Sequence, residues 1–394
     1  MSAEKDTTVS ADVVERPGTD PETAIDEIKE PELEKWFTAS QGQLIWWRFR
    51  KHKMALIGIV VLVILYTVSM FAEFIGPYGT TQRFLNYENA PPTRIRIRTV
   101  DGSFRSPFVY GLARTVDRET FRRIYEVDTS VMHDVRLFVR GQRARILWLF
   151  PTDVKLFGLV DTDMPLLLFG ADRLGRDLFS RLLHASRLSL FIGFGGVFLS
   201  FVLGTLLGGL SGYFGGVVDD IIQRIIDLML SIPTIPLWMA LAAAIPRDWS
   251  VTQTYFAITL VLAVVGWAGL ARIVRGKLLS LREEDYVLAA RIFGSRQLTI
   301  IRRHLLPNFM SYLIVHITLA IPATILGETS LSFLGLGLQP PAVSWGVLLR
   351  DAQNLTAIAQ RPWQLIPGIF VVVAVLMFSF LGDGLRDAAD PYKS

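Results

Sequence analysis

The sequence predicts an all-α polytopic membrane protein of about six transmembrane helices, with a small α+β external insert after the first span. Three observations carry this. Of the 394 residues 51% are hydrophobic and the mean hydropathy is +0.40, too apolar for a soluble chain of this length. The apolar residues fall into blocks of roughly 20, the number that takes a helix across a bilayer core. Cations gather before the first block and after the fourth, two places that an alternating path puts on the same side of the membrane. Cysteine is absent, which excludes disulfides, thiolate metal sites and a cysteine nucleophile.

Residues 1–30 are charged and poor in aromatics, as in a disordered tail. The first 45 residues are polar and acidic and do not form a signal peptide, so the first span must serve as its own insertion signal. At 33–53, Trp36, Phe37, Trp46, Trp47 and Phe49 alternate with Arg48, Arg50, Lys51 and Lys53. This pattern fits an interfacial helix, and it fits equally the basic flank of a span. The first span covers 54–75. Cations precede it and none follows closely, which places its N-terminus in the cytoplasm.

The external insert follows. Residues 94–111 read as a hairpin: Arg94, Arg96 and Arg98 alternate with Ile95, Ile97 and Val100, and Asp101-Gly102 supplies a two-residue turn. Residues 119–128 read as a helix, and 135–141 and 144–150 as further strands. Arginine is abundant here, but the positive-inside rule is weak for long translocated loops. Interleaved arginines and aromatics also occur in nucleic-acid binders. An external segment without a recognisable module argues against nucleic acid, and leaves a contact surface for an extracytoplasmic partner or a plain soluble face.

The second span covers 188–210. Gly204, Gly208, Gly212 and Gly216 form a small-residue stripe that permits close helix packing, or a sliding seam. The third span, 221–245, opens with Asp219, Asp220, Arg224 and Asp227, where Arg224 is within helical reach of Asp220 and Asp227. Pro233 and Pro236 interrupt it, as a gate or site would, or as a simple kink. The fourth span covers 255–274. Arg275, Lys277, Arg282, Arg291, Arg296, Arg302 and Arg303 follow it and place the next loop in the cytoplasm.

That loop, 284–308, reads as a helix, a glycine break, a second helix and a proline stop. Glu283, Glu284 and Asp285 suit the positive end of the first helix. Ala289 and Ala290 give it a small face, and Gly294 ends it. Leu298, Ile301 and Leu305 recur at helical spacing before Pro307. An ordinary basic, amphipathic loop accounts for the same spacing. The fifth span begins near Phe309 and is broken at Pro322. Glu328 then stands in apolar surroundings, either as a functional group within the membrane or at the outer helix end in solvent. Residues 334–346 form a re-entrant or surface loop, loosened by Gly335 and Gly337, stiffened by Pro340-Pro341 and anchored at the interface by Trp345. The sixth span covers 365–381, and 382–394 end in the cytoplasm.

The chain thus divides into a tail and interfacial segment (1–45), a first transmembrane helix (46–76), an external, periplasmic insert (77–172) and a transmembrane domain (173–394) with a cytoplasmic loop at 283–307. No catalytic apparatus is legible. The nearest approach to a phosphate loop is Gly276-Lys277, but Ala271 replaces its first glycine and Leu278 its hydroxyl residue. His52, His133, His184, His304 and His316 lack metal-ligand spacing, so no metal is expected. No nucleophile elbow occurs.

The loop at 284–308 resembles the EAA loop of bacterial ABC importer permeases, through Ala289-Ala290, Gly294 and Leu306-Pro307. It departs at the eponymous Glu, where Leu288 stands; Asp285 is an alternative polar contact. Residues 169–181, 330–346, 382–391 and 47–62 resemble the DppC/OppC-like branch, so the likeness covers most of the chain outside 1–40 and 88–165. The resemblance implies a MetI-like permease core in the bacterial inner membrane with both termini cytoplasmic. Its partners would be a second, DppB/OppB-like permease, one or two cytoplasmic ABC ATPases that hold ATP and Mg, and an extracytoplasmic solute-binding protein. This chain itself would bind no cofactor and catalyse nothing. The implied solute is a di- or oligopeptide, with oligosaccharides, opines or nickel as alternatives. Asp285, Ala289, Ala290, Gly294, Leu306 and Pro307 would form the ATPase-coupling loop. A stand-alone channel, which needs intramembrane charges such as Asp227 and Glu328, and a membrane sensor or scaffold are the other classes.

Overall fold

The computed structural model describes residues 41–116, 118, 123–146, 149–160, 163–300 and 309–389. The tail before Gln41, and the end of the loop with Leu306 and Pro307, lie outside them.

Helix α1 (Gln41–Phe49) precedes the first span, α2 (Lys53–Met70), with the short α3 (Ala72–Ile75) beyond it. His52 caps α2 by accepting the Ala55 N–H at 3.1 Å. The insert is a four-stranded antiparallel sheet in the order β1 (Arg96–Arg98), β2 (Phe104–Val116), β3 (Arg123–Ile146), β4 (Phe150–Leu159). The expected hairpin is present, but its turn holds three residues, 100–102. The Thr99 N–H reaches the Ser103 carbonyl at 2.9 Å, and Gly102 takes the left-handed conformation at φ +84°. The helix expected at 119–128 is not found: its described part, from Arg123, is strand, with Arg123 opposite Val116 and Ile124 opposite Thr115. Cross-strand pairing of β-branched and aromatic residues overrides the local helical spacing. Of the two strands expected at 135–141 and 144–150, the first and residues 144–146 of the second belong to β3, and Phe150 opens β4.

Among the described residues, five segments are long and apolar enough to cross a membrane: α2, α4 (Leu178–Phe214), α7 (Val251–Leu281), α10 (Met310–Phe333) and Pro362–Ala389, which follows the short α12 (Leu355–Gln360) and contains α13 (Ile366–Ala389). A sixth forms if α5 (Gly216–Ser231) and α6 (Thr234–Ala243) count together, although they meet at 93°. This is a right-angle break, sharper than a kink. Ile232, ahead of Pro233, is extended at ψ 131°, as the proline ring requires. The second span is longer than its apolar block. Asp177 caps α4 by accepting the Ser180 N–H at 2.8 Å, and the helix runs about 55 Å from there. Its first turns carry the buried Arg181 and Arg187, whose charges hid them from an apolar count. α10 continues through Pro322 without the expected break, and α13 continues to Ala389 past Leu381.

The glycine stripe seats α4 on α7. A Cβ on Gly204 would lie 2.9 Å from the Leu270 Cβ, one on Gly208 would collide with the Ala271 carbonyl, and one on Gly212 would lie 2.9 Å from the Arg275 carbonyl oxygen. Gly216 is not part of the stripe. It lies past the helix end at φ +56° with open space around it. The central core joins Leu62 of α2, Leu182 and Leu190 of α4, Ile325 of α10 and Phe378 of α13.

The insert is pinned to this bundle by a polar junction. Buried Lys155 of β4 donates from Nζ to the Glu73 carbonyl at 2.7 Å. Arg187 of α4 grips the Glu73 carboxylate with two bonds of 2.6 Å, and reaches the Ser69 and Met70 carbonyls at 3.0 and 2.8 Å. Burial alone would raise the Glu73 pKa, but the Arg187 bonds and charge outweigh it and hold the carboxyl below its usual range. Burial pushes the Lys155 ammonium below the usual lysine value, and the Glu73 charge opposes that shift in part.

Candidate functional site

At one end of the bundle the chain leaves α7 and turns into α8 (Asp285–Ile292), then α9 (Gln297–Ile300). Glu284 is the extended N-cap of α8, and its carbonyl takes the Val287 and Leu288 N–H groups at 2.9 and 3.1 Å. The other end closes as a Schellman motif. The Ser295 N–H reaches the Ala290 carbonyl at 3.0 Å, and the Gly294 N–H reaches the Arg291 carbonyl at 2.9 Å. Gly294 sits at φ +74° with nothing within 4 Å of a built Cβ, so it is there for its backbone conformation.

The elbow has two faces. Its inner face is locked into the bundle, where Val287 and Ile300 are buried among Tyr213, Leu278, Phe309 and Leu313. The Arg291 guanidinium lies 5.8 Å above the Tyr213 ring. Its outer face is apolar and open: Ile292 is 84% exposed and Phe293 86%, with Tyr286 and Leu288 also exposed. Asp285 is exposed beside them. Ala289 and Ala290 are half-buried, and Ala290 packs inward on the Val287 cluster. Ile292 and Phe293 were not among the residues singled out by sequence. Their only signal is an apolar pair directly ahead of a helix-ending glycine.

The charges near the membrane pair between helices. Asp219 of α5 holds Arg275 of α7 through two bonds of 2.5 Å and accepts from Ser211. Asp227 pairs with Arg272 of α7, not with Arg224 of its own helix. The antiparallel approach of α5 and α7 brings those groups together, and spacing along one helix does not reveal it.

Glu328 is fully buried, which rules out the solvent-exposed reading. It accepts from Ser332 at 2.8 Å and from Ser189 of α4 at 3.1 Å. Those hydroxyls in turn accept the Leu338 N–H at 2.9 Å and the Trp345 N–H at 3.1 Å. The segment 334–344 and α11 (Trp345–Arg350) are therefore stitched to α4 and α10 around one carboxyl group. Trp345 is itself fully buried and donates from Nε1 to Ser186 at 3.1 Å, so it is a core residue and not an interfacial anchor. Beside this centre Asp172 organises the turn into α4. It accepts the Leu174 and Arg176 N–H groups at 2.9 Å each and pairs with Arg176 and Arg181. Burial pushes the neighbouring Asp177 carboxyl up to about 6.

Gly276 and Lys277 lie inside continuous α7, where the backbone N–H groups are committed to the helix and cannot cradle a phosphate. Helices long and apolar enough to cross a membrane, a buried polar centre at one end and an exposed elbow at the other place the chain among integral membrane proteins.

Residues 204–393 match the family described as binding-protein-dependent transport system inner membrane component, and residues 40–92 the N-terminal TM domain of oligopeptide transport permease C. The dipeptide transport system permease protein DppC of Bacillus subtilis (strain 168) is 32% identical over 93% of this chain and 88% of its own length. The oligopeptide transport system permease protein OppC of the same organism is 38% identical over 57% of this chain and 71% of its own. That of Haemophilus influenzae is 38% identical over 62% and 78%. A solved structure, of inward facing conformations of the MetNI methionine ABC transporter, aligns with 52% of this chain and 95% of that chain at 21% identity and a TM-score of 0.40. The chain belongs to the family of binding-protein-dependent inner-membrane permease components of ABC transporters.

Proposed function

We propose that this chain is the permease subunit of a di- or oligopeptide importer, and that α8 is its coupling helix. The observation that carries this reading is the outward apolar face of α8 on an elbow whose inner side is fixed to the bundle. The relatives named for dipeptide and oligopeptide transport support the substrate class. A second permease completes the path, and an extracytoplasmic binding protein delivers the solute. One or two cytoplasmic ATPases, which hold ATP and Mg, seat the elbow, and both termini of this chain lie on their side.

The geometry supports a rigid transmission. Ile292 and Phe293 sit in the ATPase cleft, with Asp285 as a polar contact. The Val287–Ile300 packing passes displacement to α7 and to Phe309 and Leu313 at the start of α10. α10 then runs as one 24-residue helix to Glu328 and Ser332, where the loop 334–344 is tied. Gly294 sets the angle of the elbow, and Ala290 permits its close seating on the bundle.

The test is uptake of a labelled dipeptide by cells that depend on this transporter, together with ATP hydrolysis by the purified complex. Valine at position 294 cannot hold φ +74° without strain. The Gly294→Val variant is expected in the membrane, with hydrolysis retained and uptake lost; unchanged uptake overturns the role of the elbow. Recovery of the wild-type chain without any ATPase from mild detergent overturns the importer reading and favours a channel.

A further inference from the structure

At the elbow end of the bundle, α1 lies against the last turns of α13, with Phe49 buried beside Ala55 and Ala388. Between this pair and the ends of α7 and α10 is a cavity of about 790 Å³. Its walls are mostly apolar, with Ile45 of α1 and Val315 and Leu319 of α10 among them, and also carry Ser311, Tyr312 and His316. The charged side chains on its described lining are cations. Arg48 of α1, Lys277 of α7 and Arg386 of α13 reach it from three elements remote in sequence, and no carboxylate is among the described residues that line it. The Lys277 ammonium lies 5.9 Å over the Tyr312 ring on this wall.

We propose that this cavity binds one anionic phospholipid. Its phosphate would lie among Arg48, Lys277 and Arg386, and its acyl chains against Ile45, Val315 and Leu319. The inference rests on the chain's place in the membrane, since α2 begins and α13 ends at this level and so puts the cavity at headgroup depth. Basic pockets between helices at a membrane face are suited to anionic headgroups, and the volume lies in the range that holds a small-molecule ligand. A free phosphate would meet the same cations but would leave the apolar walls uncovered. A bound lipid would brace α1 against α7, the helix that leads into the elbow.

The test uses the full chain, purified in mild detergent with the subunits that accompany it. Retention of phosphatidylglycerol is compared with that of phosphatidylethanolamine, and inorganic phosphate is added as a competitor. The expected result is at least a tenfold preference for phosphatidylglycerol that phosphate does not displace. Arg48→Gln, Lys277→Gln and Arg386→Gln should each reduce the preference about fivefold. Equal retention of the two lipids, displacement by phosphate, or an undiminished preference in a folded triple variant overturns the proposal, and displacement of the lipid by the ATPase subunits does so in favour of a protein seat. The lipid comparison uses the unaltered chain, so it decides even where a variant fails to fold. A chain that stays in the membrane fraction without lipid preference defeats this inference alone, whereas one absent from that fraction defeats the permease reading.

Discussion

At the scale of single residues, Glu328 and Asp177 show two ways of burying a carboxyl group. Glu328 has hydroxyl donors on two helices and ties the loop 334–344 to both. Removing it leaves Ser189 and Ser332 without their buried acceptor. Glu328→Ala is therefore expected to lower stability by about 1–3 kcal/mol, and Glu328→Gln by less, in thermal unfolding in detergent. Burial makes Asp177 costly to ionise and raises its pKa to about 6 from an unfolded value of 3.8. A carboxyl raised in the folded state contributes stability below its unfolded pKa and loses it as pH rises through the folded one. Wild-type stability should therefore carry a component that declines from about pH 4 to about pH 6. Asp177→Asn keeps a capping side chain and should remove that slope, which unfolding temperatures across this range will read. The presence of Glu328 was legible in the sequence as a charge among apolar residues. Its partners were not, because Ser189 is distant in the chain and looks like any small packing residue.

At the scale of elements, the elbow was the most legible part. Acidic residues, a helical run and Gly294 announced α8, and the Schellman geometry follows from the glycine. Which face of α8 points outward was not legible. The sequence emphasised Ala289 and Ala290, yet the large exposed groups are Ile292 and Phe293, since Val287 and Ala290 hold the helix the other way round. Burial of a large apolar side chain is worth about 1.5–3 kcal/mol. The double variant Ile292→Ala, Phe293→Ala should lower recovery of ATPase with the tagged chain by tenfold or more. Recovery equal to wild type would remove these two residues from the interface. The glycine stripe carries a related lesson. Its spacing revealed a packing seam, but only the helix end at Phe214 decided that Gly216 falls outside it.

At the scale of the whole molecule, the insert and the bundle are joined through Glu73, Lys155 and Arg187. Breaking a buried ion pair from one side costs about 3–5 kcal/mol, because the remaining charge stays buried. Arg187→Leu should therefore loosen the insert, seen as faster limited proteolysis between β1 and β4 while the chain stays in the membrane; unchanged cleavage would mean that the sheet is held elsewhere. By itself the sequence determined the membrane class, the span order and the position of the elbow. Those depend on hydropathy over blocks of residues and on local backbone chemistry, which act without knowledge of distant partners. Tertiary structure alone decided that the second span starts ten residues early, that the insert is a sheet where a helix was expected, that Asp227 faces Arg272, and which side of α8 is exposed. Each depends on a partner outside its own element: Glu73 and Asp172 neutralise the arginines of α4, β2 captures β3, α7 supplies Arg272, and the Val287 cluster orients the elbow.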